Sequence, residues 1–471
     1  MAAETDRQAI DLLVRNIDWL VTVDPGRRII RDAALAVHDG RFVDVGKTAA
    51  LDARWQAARV VDGAGAVVMP GFVDNHLHSS FQLARGLADE SNAQAFLFEH
   101  MYPYEVAMGE EDVRIAVSLA AVEMLRHGVT CYIEPGNYHP DTTVDAVMGA
   151  GMRAVLAVSC FDKGKSVTGL MPPGMIDTTR GCIEKTEALF EKYPGRHSRR
   201  LTVSASFRGM NNSSDELILA LKGIAQKHDA ILQTHACYSY FTHDASVAQY
   251  GKPEIERLES LGVLDERMLL LHGGWFEPHE IEILARRRPT VVCCPSSSLH
   301  NGYGNLKVGM HPELAALGVN VSLGCDHASS GTVDIVQEMR NCVGAYKELR
   351  LNPRVMPPEQ AVEMATLNGA RGAGLADRIG SIEVGKEADF VLFDAMTPEW
   401  QPLYNPVSNL VYSATGNTVK DVFVAGEQVV RNGHLTRIDE AALMREVVEA
   451  GRRITSRLDM KKVMKLRWPV E

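Results

Sequence analysis

The 471-residue chain lacks most of the features that would remove it from the soluble globular class. Its eight cysteines, at 131, 160, 182, 237, 293, 294, 325 and 342, include no Cys-x-x-Cys pair and no regular ladder of spacings. That excludes a disulfide scaffold and leaves buried, reduced thiols. No segment approaches the length of a membrane span, and Met1 to Gln8 has no apolar stretch behind a basic start, so a cytoplasmic location is expected. Positive charge is also scarce, with 49 Lys and Arg against 60 Asp and Glu and a formal net charge of −11. A nucleic acid or an acidic membrane would need the opposite balance, so neither is an expected partner. The one basic cluster, Lys461, Lys462, Lys465 and Arg467, reads as a solvated helix face. There is no internal repeat, no low-complexity segment and no long linker.

Several catalytic signatures are missing as well. Gly164-Lys165-Ser166 looks like the end of a phosphate loop, but the earlier glycine position holds Ser159. The cytidine-deaminase zinc pattern needs Pro-Cys-x-x-Cys, whereas this chain has Cys293-Cys294-Pro295. Ser296, Ser297 and Ser298 have no nucleophile-elbow context and read as loop residues.

What is present is periodicity. From about Ile10 to Val68 apolar and polar residues alternate, with Asp39-Gly40 as a tight hairpin turn. From Met69 to about Gly324 short apolar runs, such as Val155 to Val158 and Met268 to Leu271, are separated by amphipathic helices such as Glu110 to His127 and Asp215 to Lys227. This alternation predicts a parallel (β/α) barrel with reactive residues at the strand C-termini. Helical residues near Pro358 to Gly374 precede two more alternating runs, Ala388 to Asp394 and Val419 to Gly426. These late strands are expected to join the N-terminal ones in a small β domain built from both chain ends.

The apolar run Val68 to Val73 leads into His76-Leu77-His78, which sets two imidazoles one residue apart on one face of an extended chain. Converging neutral imidazoles make half a metal site. His235, His272 and Asp326 each stand where a later apolar strand runs out, and each is a metal-competent side chain.

These residues carry a resemblance to the amidohydrolase superfamily, in the branch of s-triazine hydrolases and cytosine and guanine deaminases. It rests on Pro70 to His78, Leu232 to His235, Leu271 to Gly273, Cys294 to Ser298, Leu323 to Asp326, and the C-terminal runs Met364 to Arg371 and Gly380 to Asp389. The resemblance implies an α/β fold: a distorted (β/α)8 TIM-type barrel with a β-sandwich. Residues 1–68 and 386–440 would form the sandwich, 69–385 the barrel and 441–471 a helical tail. It implies one divalent metal, zinc before Fe, Co or Mn, held by His76, His78, His235 and Asp326, with His272 beside a metal-bound water. His272 and the free oxygen of Asp326 would relay its proton. No lysine at a barrel strand end is placed to bridge two metals.

The family pattern is broken at one position. Deaminases of this branch carry a glutamate three residues after the histidine of the fifth strand, and this chain has Tyr238. A phenol donates a hydrogen bond but is a poor proton shuttle at neutral pH. Cytosine, guanine and s-triazine amines are therefore expected to be poor substrates. Glu134 is a substitute acid, and Tyr238 stays among the catalytic candidates. The Ser298 position commonly carries Asn, as does that of Gly331. Arg208, Trp275, Ser298 and His300 are the expected substrate-pocket residues. The function implied is hydrolytic displacement of a leaving group from an electron-poor carbon of a small nitrogen-containing molecule by a metal-dependent homo-oligomer. Dechlorination or thiocarbamate cleavage is the first alternative, and a non-catalytic metal-binding scaffold the second.

Overall fold

A computed structural model describes residues 7–166, 169–193, 199–326, 331–458 and 468–469. The expected (β/α)8 barrel is present as two parallel sheets that share a broken fourth strand. One sheet orders Leu201–Val203, Arg153–Leu156, Val129–Ile133 and Phe72–Asp74; the other runs from Ala205–Gly209 through Leu232–Ala236, Met268–His272 and Thr290–Cys293 to Asn320–Leu323. The break in the fourth strand falls at Ser204. The barrel closes where the Asn75 amide donates to the Leu323 carbonyl at 2.9 Å. Val73, Ile133, Val155, Leu269, Leu271 and Val292 pack with Ala370, Ala373, Leu375 and Ile379 in a buried cluster inside this wall.

Both chain ends build a nine-stranded mixed sheet. Ala66–Pro70 pairs with Gln8–Val21 on one side and with Phe390–Asp394 on the other. Its core is apolar and its own, with Phe390 stacked on Phe423 at 4.4 Å. The Asp39-Gly40 hairpin forms between Ile29–His38 and Arg41–Lys47, with φ of 47° and 69° at its two central residues, the left-handed values such a turn requires.

The apolar run before His76 does not form one strand. It splits at Gly71, so Met69 and Pro70 lie in the sandwich sheet and Phe72 in the barrel. A Cβ at Gly71 would meet Thr130 Oγ1 at 2.3 Å, so the crossing between the two sheets needs glycine there. Buried Arg153, on the third barrel strand, ties the two parts together through Glu387 at 2.6 Å and Asp389 at 2.9 Å.

The expected helices appear as Glu110–Arg126 and Asp215–Lys227. The terminal helix Glu440–Thr455 docks on the first of these through Arg453 and Asp112 at 2.7 Å. Lys461, Lys462, Lys465 and Arg467 lie outside the described residues. No described helix is long and apolar enough to cross a membrane.

Candidate metal centre

Five side chains from four barrel strands meet at the C-terminal mouth. His76 and His78 follow the first strand, His235 lies in the fifth, His272 ends the sixth, and Asp326 follows the eighth. Nitrogen and oxygen atoms of His76, His235 and His272, and of His76, His78 and Asp326, fall within 4.8 Å of one another in each group. His76 Nε2 is 3.1 Å from Asp326 Oδ1, and the Nε2 atoms of His78 and His235 are 3.1 Å apart.

The backbone around the site is pinned by its own acid. Asp74 Oδ1 accepts the amides of His76 and Cys325, each at 3.0 Å, and so couples the first and eighth strand ends. His235 Nδ1 is 2.5 Å from the Arg208 carbonyl. A carbonyl only accepts, so Nδ1 carries the hydrogen and Nε2 presents a lone pair to the cluster. Burial holds the His76 and His235 imidazoles down at about 3, and His78 and His272 well below the usual histidine range. All four are neutral at physiological pH. Neither ring nitrogen of His76 has a hydrogen-bond partner although both are buried. Desolvated lone pairs aimed at one point beside a carboxylate are costly unless a cation receives them. The donor set fits a single divalent ion.

Asp326 presents its two oxygens differently. Oδ1 faces His76 and, at 3.9 Å, His78; Oδ2 lies 3.6 Å from His272 Nε2 and accepts the Ser297 hydroxyl at 2.8 Å. Ser297 was not among the residues expected from sequence, which pointed to Ser298. One residue of rotation on the helix Pro295–Asn301 decides which serine reaches the carboxylate, and the triple serine does not reveal that phase.

A cleft of about 770 Å³, counting its open mouth, leads to His78, His235, His272 and Asp326. Arg208 and Tyr238 are among the residues that line it. Burial lifts the Tyr238 phenol well above its ordinary value, and its ring lies 5.6 Å from that of His272. Arg208 is buried and donates from Nη1 to both Glu105 oxygens, at 2.7 and 2.8 Å. The rings of Phe81, Tyr102 and Phe161 surround its guanidinium at 5.7 to 6.0 Å.

Four expected residues stand elsewhere. Glu134 is fully buried on the far side of His78, 3.9 Å from its Nδ1, and is bound by the Ser79 amide and hydroxyl. Burial pushes its carboxyl up to about 8. It is not among the residues that line the cleft, and its contact with His78 is longer than a hydrogen bond. Trp275 lies one layer out, where its Nε1 donates to the Tyr303 carbonyl at 2.9 Å and the Tyr303 ring lines the cleft. Ser298 is buried in the turn of its helix, and His300 points outward to Asp89 at 3.1 Å. Phe81, Tyr102, Phe161, Asn211, Glu254 and Tyr303 line the cleft without having been expected. They sit on loops, short turns or the first residue of short helices, where periodicity carries no directional signal.

The amidohydrolase pattern matches residues 67–429. The chain belongs to the amidohydrolase family. With its His, His, His and Asp cluster, this amidohydrolase is a metal-dependent hydrolase. It is similar to a 5-methylthioadenosine/S-adenosylhomocysteine deaminase of Syntrophobacter fumaroxidans, 30% identical over 438 residues that cover 93% of this chain and 97% of that protein. A 5'-deoxyadenosine deaminase of Methanopyrus kandleri is 30% identical over 440 residues, 93% of this chain and 98% of that protein. Among solved structures, a zinc-bound adenosine deaminase of Xanthomonas campestris superposes with a TM-score of 0.87 at 29% identity, covering 96% of this chain and all of that one. A zinc-bound atrazine chlorohydrolase of Arthrobacter aurescens, 21% identical, shares the fold with a TM-score of 0.85 over 93% of this chain and 100% of that one.

Proposed function

We propose that this amidohydrolase is an aminohydrolase that releases ammonia or an amine from an electron-poor carbon of a small nitrogen-containing molecule. In this reading His76, His78, His235 and Asp326 hold the metal, with zinc first and Fe, Co or Mn as alternatives. When bound, the ion supplies Lewis acidity that brings water within reach of deprotonation near neutral pH. His272 and Asp326 Oδ2, 3.6 Å apart, take the proton from the attacking water and return it to the departing amine. Tyr238 orients the substrate by hydrogen bonding, since its phenol stays protonated. The aromatic walls place a flat substrate against that pair, and the Glu105 carboxylate neutralises Arg208. The convergence of four neutral imidazoles on one carboxylate whose two oxygens face different partners carries this reading.

The adenosine-type substrates named for the relatives form the first panel, followed by aryl ureas and s-triazines. Tyr238 favours a second reading, in which the leaving group is a chloride or thiolate that departs without a proton. The net charge of −11 supports a small molecule over nucleic acid as partner, and family resemblance supports a cytoplasmic homo-oligomer.

Metal analysis combined with mass spectrometry of products tests both readings. One equivalent of metal and release of ammonia or amine are expected, with both lost in His76→Ala or Asp326→Ala. Full turnover by metal-free protein sinks the proposal, and chloride or thiolate release without amine moves it to the second reading. Rapid ammonia release from cytosine or guanine would contradict the role given to Tyr238.

A further inference from the structure

The cleft holds two acceptors that the hydrolytic chemistry does not use. Asn211 lies on the turn Met210–Asn212 after the fourth barrel strand, is 5% exposed, and lines the cleft. Its Nδ2 donates to the Thr242 carbonyl at 3.2 Å, which fixes the orientation of the amide because a carbonyl cannot donate. Oδ1 is left buried with no hydrogen-bond partner. A desolvated acceptor without a partner is expected in a folded protein only where something else supplies the hydrogen.

Glu254, the first residue of the helix Glu254–Ser260, lines the same cleft and is 1% exposed. It receives the Cys237 amide at Oε2, 2.5 Å, and forms no ion pair among the described residues. Neither Asn211 nor Glu254 hydrogen-bonds to the histidines or Asp326, so neither serves the metal site directly. Arg208 Nη1 is already committed to Glu105, so an anionic group gains little there. The surrounding wall is aromatic, with Phe81, Tyr102 and Phe161.

We propose that Asn211 Oδ1 and the Glu254 carboxyl group form a specificity subsite that receives an N–H or O–H donor of a flat aromatic or heteroaromatic substrate. This rests on the reading of the cleft as the seat of a small nitrogenous substrate, and it adds a requirement on the part of that substrate that does not react. A site built to hydrogen-bond a donor rejects the analogue that lacks it, because the buried acceptor is then left bare.

Calorimetric binding to the zinc-loaded protein tests the subsite without turnover. The probes are purine riboside, which has no amine to lose, against its 2′,3′-dideoxy counterpart, and 3-hydroxyphenylurea against phenylurea. The donor-bearing member of at least one pair is expected to bind about tenfold tighter. Asn211→Leu should abolish that preference. At pH 8, where the Glu254 carboxyl is ionised, Glu254→Gln replaces an acceptor with a side chain that also donates and should reduce it at least about threefold, with metal content unchanged in both variants. If Asn211→Leu does not fold, Glu254→Gln decides. Equal binding within both pairs, a preference that survives the substitutions, or no binding by any donor-bearing probe overturns the subsite. Failure of the aminohydrolase reading shows itself separately, as fully metallated protein that turns over nothing in the product screen.

Discussion

His311 Nε2 donates to the backbone carbonyl of His272 at 2.8 Å. This fixes the His311 tautomer, so Nδ1 accepts the Tyr346 hydroxyl at 2.5 Å, and burial keeps the ring neutral by lowering its pKa to about 4. His272 needs the support, since its φ of 77° is a left-handed conformation that a bulky residue rarely adopts. Replacing His311 with Leu is expected to lower kcat about 10- to 100-fold while metal content stays near one equivalent. Steady-state kinetics with elemental analysis of the same sample checks this, and loss of metal in step with activity would contradict it.

The adjacent serines give a second contrast. Ser297→Ala removes the only hydroxyl donor to Asp326 Oδ2 among the described residues, at 2.8 Å, and should lower kcat by about tenfold with little change in KM. Ser298→Ala should leave both constants within about twofold of the parent, because Ser298 is buried and does not line the cleft. Parallel kinetics on the two variants separates the outcomes.

The buried pair of Arg208 and Glu105 has side chains that are 3% and 5% exposed. Glu105→Gln strands a desolvated guanidinium and should cost about 3–5 kcal/mol of unfolding free energy. Pairing Glu105→Leu with Arg208→Met should recover most of that loss in chemical denaturation. If the double variant is no more stable than the single, the pair is not the source of the effect.

Glu254 sets a pH signature. Burial raises its carboxyl from an ordinary 4.5 to about 7. Between those values the folded protein keeps a proton that the unfolded chain has lost, so stability falls as pH rises from about 4.5 and levels off above about 7. Glu254→Gln should flatten that decline. Urea unfolding of chelated protein at pH 5, 6, 7 and 8 should show the variant gaining on the parent up to pH 7 and holding its gain beyond. A pH-independent difference would contradict the shift.

Most of the metal site was legible in the sequence because its residues obey strand geometry. His76 and His78 alternate, and His235, His272 and Asp326 mark the ends of apolar runs, so a barrel predicts their convergence. The pocket was less legible for a physical reason. Ser297 and Ser298 differ only in helix phase, Trp275 and His300 sit on segments whose direction is set by tertiary contacts, and Glu134 is taken up by the Ser79 amide and hydroxyl. The split of the apolar run at Gly71 was equally invisible, because two buried strands in separate sheets read as one. Asn211 comes from a three-residue turn and Glu254 from the first position of a short helix, and neither carries a periodic signal.

The seam of the barrel is sewn by the residues that would grip the metal. The Asp326 amide donates to the His76 carbonyl at 2.8 Å, and Cys325 meets Asp74 across 251 positions of sequence. A growing chain therefore carries the His76 and His78 pair long before Asp326 has been synthesised. Contacts this distant form late and slowly. A metal site that draws on Asp326 together with His76 and His78 would be complete only after the first and last strands have joined.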